Sequence, residues 1–267
     1  MDCSQEEKFY AIRDISDLTG VKPVTLRAWQ RRYNLIQPQR TEKGHRLYRQ
    51  QDLDTIREIQ GWLAKGVAIG KVKGLLGQDS EVLVSPEQQK LDEVEEMLKA
   101  LSDLNRGKTE TLLSNVLKEY PLNIVIEQLI NPVFEALDLV KVSLRSLQLG
   151  LFQTCLITRL ALVVDSENKA SSKGKCLLLS FEQVRDSESW IQAAKLCEQG
   201  YHITLIDKVE DISGLVEHDV MSRYQYVHFF SNKALPIKQV EALATLLEQT
   251  PKQVQLSEVI EKLHFPQ

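Results

Sequence analysis

Pro23-Val24-Thr25-Leu26-Arg27-Ala28-Trp29-Gln30-Arg31-Arg32-Tyr33 predicts a helix with one packing face and one basic face. Leu26, Trp29 and Tyr33 fall on one side at helical spacing, and Val24, Arg27, Ala28 and Arg31 lie roughly opposite. Pro23 suits the first turn, where its missing N–H would have no intrahelical partner, although Lys22 before it is a poor N-cap. Upstream, Ile12, Ile15 and Leu18 recur at helical spacing and Gly20 can end that segment at positive φ. Two short helices joined by a tight, glycine-containing turn predict a helix-turn-helix, whose second helix enters the major groove of DNA.

Working outward, Leu35-Ile36-Gln37-Pro38-Gln39-Arg40 and Arg46-Leu47-Tyr48 flank the polar turn Thr41-Glu42-Lys43-Gly44-His45, which predicts a small β-hairpin, or wing. Asp52 is expected to cap a third helix with Leu53, Ile56, Ile59 and Leu63 inside; Gly66 breaks it, and Ile69, Val72 and Leu76 mark a short fourth helix. Trp29 and Leu47 are expected in the core, while Trp62 could serve the core or a contact with another domain or subunit. From about residue 89 to 165 an apolar series through Leu91, Val94, Leu98, Leu112, Val116, Phe134 and Val164 predicts a bundle of four or five helices. Beyond the polar run Asn168–Gly174, strand-like segments at 176–180, 201–206, 225–230 and 254–256 alternate with helical ones, the first of which Ser187 is expected to cap. That alternation argues for a mostly parallel α/β sheet. The expected division is therefore 1–77 for a DNA-binding head, 78–88 for a linker, 89–168 for the bundle and 169–267 for the sheet domain.

Composition limits what such a chain can be. At 267 residues it is long enough for two or three domains, and 43% hydrophobic with 26% charged residues is the balance of a folded soluble protein. No uninterrupted apolar run approaches the ~20 residues of a membrane span, and the acidic N-terminus lacks the form of a secretory signal, so a cytoplasmic location without membrane attachment is expected. Cys3, Cys155, Cys176 and Cys197 are scattered without metal-ligand spacing, which suits buried, reduced thiols; redox sensing between chains is the alternative. Charge is uneven: residues 1–76 hold 14 Lys and Arg against 9 Asp and Glu, whereas the remainder carries a net −9. Between Gly20 and Gln50 eight basic residues face only Glu42, the electrostatic signature of a nucleic-acid head on an acidic body.

The stretch 23–33, followed by Pro38-Gln39-Arg40-Thr41, Gly44-His45-Arg46-Leu47-Tyr48 and Ile56-Arg57-Glu58-Ile59, resembles the MerR family of transcription regulators, and within it the MlrA-type branch. The resemblance spans about 65 residues and includes both helix and wing. It implies a winged helix-turn-helix, a helical bundle and a C-terminal flavodoxin-like domain related to cobalamin-binding domains, an order that the segmentation above reaches independently. It also implies a homodimer that binds near-palindromic promoter DNA and activates by bending and untwisting an overlong spacer for RNA polymerase. Biofilm and curli matrix genes, with cyclic-di-nucleotide signalling proteins as partners, are associated with that branch. Cobalamin-binding relatives carry an Asp-x-His-x-x-Gly loop after the first strand; Phe181-Glu182-Gln183-Val184-Arg185-Asp186-Ser187 holds neither the histidine nor the glycine, so no cofactor is expected.

The expected DNA-binding set comprises Val24, Thr25, Arg27, Arg31 and Arg32 on the helix and Arg40, Lys43, Gly44, His45, Arg46 and Tyr48 in the wing. Arg27 and Arg31, one helical turn apart, can reach phosphates or guanine edges, while the wing cations hold the backbone and confer salt dependence. The bland alternative is a solvated basic face. An enzyme is the rival class for the sheet domain, yet no Gly-x-Gly-x-x-Gly, P-loop, nucleophile elbow or paired-cysteine metal pattern occurs, and Asp186, Glu188 and Asp207 are expected to be ordinary loop carboxylates. His202, His218 and His228 lack ligand spacing and are expected to pack or face solvent. The second functional reading is a ligand-gated regulator that senses a cofactor or small molecule through the C-terminal sheet domain.

Overall fold

Helical periodicity in the first two thirds of the chain and strand-like runs in the last third become two compact units, residues 1–155 and 156–267, in a computed structural model that describes residues 8–77, 90–217 and 220–266. The expected linker at 78–88, Cys3 and His218 lie outside the described residues.

The first unit opens with β1 (Phe9–Ala11), α1 (Ile12–Thr19) and α2 (Pro23–Ala28). The helical path of α2 continues through a wider π-type turn at Trp29–Tyr33 and stops at Asn34, which takes φ +51°. The wing strands are β2 (Gln39–Arg40) and β3 (Arg46–Arg49), followed by α3 (Gln50–Ala64) and α4 (Ile69–Val72). β1 escaped the sequence reading because three residues carry no period, yet it pairs antiparallel with β3, giving a three-stranded sheet in the order β1-β3-β2. Asp52 does not cap α3 from outside: β3 runs straight into the helix, so Asp52 sits in the first turn and accepts from Arg49 N at 2.8 Å. The fourth helix ends at Val72, short of Leu76.

The bundle follows in the same unit as α5 (Glu93–Ser102), α6 (Arg106–Glu119), α7 (Leu122–Val125), α8 (Asn131–Asp138) and α9 (Val142–Asn168), and the boundary between the units falls within α9. Asn105 caps α6 by accepting from Lys108 N. A π-type turn at Ile126–Ile130 joins α7 to α8 just ahead of Pro132, whose ring removes one donor from the regular ladder. Phe134 and Phe152 meet edge-to-face, with centroids 5.2 Å apart. Head and bundle interlock: Gln128 Nε2 donates to Leu63 O at the end of α3 (2.8 Å), and Tyr120 OH accepts from Ile69 N at the start of α4 (3.2 Å). Among the described residues α9 is the one helix long and apolar enough to cross a membrane by length and composition. Arg145, Gln148, Gln153 and Arg159 interrupt its apolar sequence, and Phe152, Cys155, Leu156, Leu160 and Val164 along it are buried.

The second unit holds β4 (Lys175–Ser180), α10 (Ser187–Glu198), β5 (His202–Ile206), α11 (Ser213–Glu217), β6 (Tyr226–Phe230), α12 (Ile237–Gln249), β7 (Val254–Leu256) and α13 (Glu258–His264). All four strands are parallel in the order β5-β4-β6-β7, the first four positions of the flavodoxin-like arrangement. Alternation along the strands sorts the two faces: Leu177, Leu179, Val227 and Phe229 pack with Leu243 and Leu246 of α12 and Ile260 of α13, whereas Ser180 and His228 reach Ser189 and Gln192 of α10. The amide of Asn168 bonds both Ile203 N and Ile203 O, satisfying part of the β5 edge. Asp186, not Ser187, caps α10, because its carboxylate reaches Ser189 N at 2.9 Å.

Two outcomes follow from this burial. Cys155, Cys176 and Cys197 are buried thiols, and burial raises the Cys176 pKa to about 11, so all three should resist a thiol reagent at about pH 8 in the native protein and react on unfolding, as labelling with mass detection would show. Burial lowers the His228 pKa from 6.5 to about 4, favouring its neutral form in the folded state. Stability should therefore decline as pH falls from about 6.5 toward about 4, by about 3 kcal/mol at most, because the unfolded chain takes the proton first; His228→Gln should flatten that part of the denaturation profile.

Candidate nucleic-acid interface

A helix-turn-helix works only if its second helix is held rigidly by a small core, and the turn shows how this is done. Gly20 takes φ +70° and its N–H bonds Ser16 O; Thr19 Oγ1 donates to Ile15 O and accepts from Val21 N. From α3, Gln60 Nε2 donates to Thr19 O at 2.9 Å, so three helices share the turn. With Ile15, Val21, Leu26 and Trp29 buried inside, α2 presents Val24 (41% exposed), Arg27 and, from the following turn, Arg31 to solvent.

The wing is closed by Thr41 N to His45 O (2.9 Å) and Gly44 N to Thr41 O (2.8 Å), with Gly44 at φ +80°, a conformation that a side chain would strain. Arg40, Lys43, Gly44 and His45 are exposed along it. Arg46 Nε donates to Gln30 Oε1 at 2.7 Å, a strut between wing and helix. Burial of its guanidinium, and then the neighbouring Arg40, Arg31 and Arg27, lower the Arg46 pKa. Four arginines thus crowd one surface, and Arg27, Arg31 and Arg40 have no ion-pair partner among the described residues; such a field favours a polyanion.

Three residues of the expected DNA-binding set are buried or paired within the protein. Thr25 is 1% exposed, and Tyr48 is fully buried because the pleat of β3 turns it inward opposite Tyr10 of β1. Arg32 pairs with Glu119 at the end of α6, and the same residue takes hydrogen bonds from Trp29 Nε1 to its carbonyl (2.7 Å) and from Tyr33 OH to its carboxylate. Sequence reasoning missed Gln30 and Glu119, since neither residue type nor spacing links positions 16 and 87 residues from their partners.

The helix, turn and wing, in this order and with this basic face, are those of a MerR-type head, and the MerR HTH family regulatory protein model matches residues 10–79. Over 199 residues, 74% of this chain, the sequence is 33% identical to the HTH-type transcriptional regulator MlrA of Salmonella typhimurium, covering 79% of that protein, and the MlrA of Escherichia coli matches to the same extent over 198 residues. The chain belongs to the MerR family. Its match to MlrA extends well beyond the head, which makes this MerR-family protein one of the MlrA type. Over 77 residues, 29% of this chain and 26% of the relative, the sequence is 36% identical to the HTH-type transcriptional repressor CarH of Myxococcus xanthus. These are transcription regulators, so the MerR-family chain is a DNA-binding regulator and not an enzyme.

In its α/β unit the strand ends, where such sheets hold ligands, are occupied by the protein's own groups. Glu182 is 7% exposed and accepts from Ser231 Oγ (3.1 Å) and Asn232 N (2.8 Å), with Lys233 Nζ at 3.4 Å. Asp186 is used as a cap, Asp207 accepts from Arg185 N, and burial raises the pKa of Glu188. The segment after β4 offers no histidine to cobalt, and His228 lies under α10 against Gln192; the residues present do not fit cobalamin ligation.

Tyr48 OH is buried without a hydrogen-bond partner among the described residues, so Tyr48→Phe should leave stability equal or slightly higher and duplex affinity within about twofold, as melting and fluorescence anisotropy would show.

Proposed function

We propose that this regulator is a promoter-distorting activator that acts in the cytoplasm as a homodimer on near-palindromic operators, engaging RNA polymerase, and that it serves biofilm or curli matrix genes with cyclic-di-nucleotide signalling proteins among its partners. The convergence of Arg27, Arg31, Arg40 and Arg46 on one face of helix and wing carries the DNA part of this reading. One head offers too little surface for long-operator specificity, and two-fold pairing of heads matches operator symmetry. Val24, Arg27 and Arg31 supply an apolar contact and two bidentate donors for base edges; Arg40, Lys43, Gly44, His45 and Arg46 grip phosphate. The target genes and partners rest on the MlrA-type resemblance alone. Gating by a small molecule has less support, because Glu182 already ties the strand ends together.

Binding of the purified protein to a promoter library at several salt concentrations tests this, with the visible spectrum recorded beforehand. Arg27→Ala and Arg46→Ala should each weaken specific binding by about tenfold, and a phosphate-contacting arginine should reduce the salt slope by about 0.9 when removed. Wild-type protein with no preference above non-specific background would overturn the operator reading. Ligand-dependent affinity or a coloured protein would restore the ligand-gated one.

A further inference from the structure

Arg32 adjoins Arg31 on the DNA-binding head, yet its guanidinium is turned to the bundle. Its side chain is 49% exposed, whereas that of its partner, Glu119, is 9% exposed. The carboxylate is therefore the fixed member of the pair and the guanidinium the one that solvent, or another anion, can reach. A DNA phosphate offers arginine the same paired oxygen acceptors as a carboxylate.

We propose that Glu119 competes within the molecule against DNA phosphate for Arg32, so that the bundle sets how many cations the head offers to DNA. This rests on the reading of the head as a duplex-binding surface. Three features of the contact support it. Glu119 ends α6 and is followed by Tyr120, whose hydroxyl accepts from Ile69 N, so this corner of the bundle is bonded to the head on both sides. Trp29 and Tyr33, from the same turn as Arg32, also donate to Glu119, so a displacement of α6 would disturb all three together. A buried carboxylate stripped of its cation is costly, so the free protein keeps the pair and release needs movement of α6 or a strongly competing anion. A change of state in the bundle would then reach DNA as a change of one positive charge per head.

The test uses the full chain and a mixed-sequence DNA duplex, with binding constants measured from about 50 to about 200 mM salt. Glu119→Gln should bind more tightly than wild type and show a slope steeper by about 0.9 per bound head, so that its advantage shrinks about threefold across that range. Arg32→Gln in the wild-type background should leave the slope unchanged, and the double variant should return to it. An unchanged slope in a folded Glu119→Gln protein, checked by melting, would overturn the proposal. So would a slope shallower by about 0.9 in Arg32→Gln, which would place Arg32 on DNA already; this second measurement decides the matter if Glu119→Gln fails to fold. Wild-type protein without salt-dependent duplex binding would overturn the duplex-binding reading itself, and the competition with it.

Discussion

The indole of Trp29 has to be buried and hydrogen-bonded at once, and much of the first unit is arranged around that need. Fully buried at the end of α2, it fixes the face that this helix turns inward and hence the face that carries Arg27 and Arg31 outward. Its N–H finds no acceptor within the short head but meets the carbonyl of Glu119, 90 residues later. A buried donor left unpaired would cost about 1–3 kcal/mol, so the bundle completes the head's core rather than hanging from it. Gln128 on Leu63 O and Tyr120 on Ile69 N repeat the pattern, satisfying backbone groups at helix ends that the head leaves open.

That arrangement divides the head's positive charge into two kinds. Arg27, Arg31 and Arg40 stand in a common field with nothing among the described residues to neutralise them, and Arg46 is steadied there by Gln30. Arg32, in the same turn, is already balanced by a carboxylate. Arg31 and Arg32 are neighbours within the π-type turn at Trp29–Tyr33, yet only Arg32 has a carboxylate partner among the described residues. In the α/β unit the logic is similar: Ser180, Glu182, Ser189, Ser231 and Ser257 are polar and buried, and their hydrogen bonds run to one another and to adjacent backbone. These side chains are engaged in closing the strand ends.

What the sequence by itself determined was periodicity and charge. Helical spacing of Leu26, Trp29 and Tyr33, the Gly20 turn, the Gly44 wing and the four strand runs are local properties, so they read correctly from neighbours three or four residues away. The basic excess between Gly20 and Gln50 likewise needed no fold to be seen. Which side chains of the expected set are paired or covered was decided only by tertiary structure, because the answer depends on partners distant in the chain: Glu119 for Arg32, Gln30 for Arg46, and Tyr10 of an unrecognised strand opposite Tyr48. Residue type assigned Thr25, Arg32 and Tyr48 to the interface; packing buries Thr25 and Tyr48 and the fold pairs the still exposed Arg32 with Glu119, since exposure and pairing are set by what the rest of the chain brings near a side chain and not by its own chemistry.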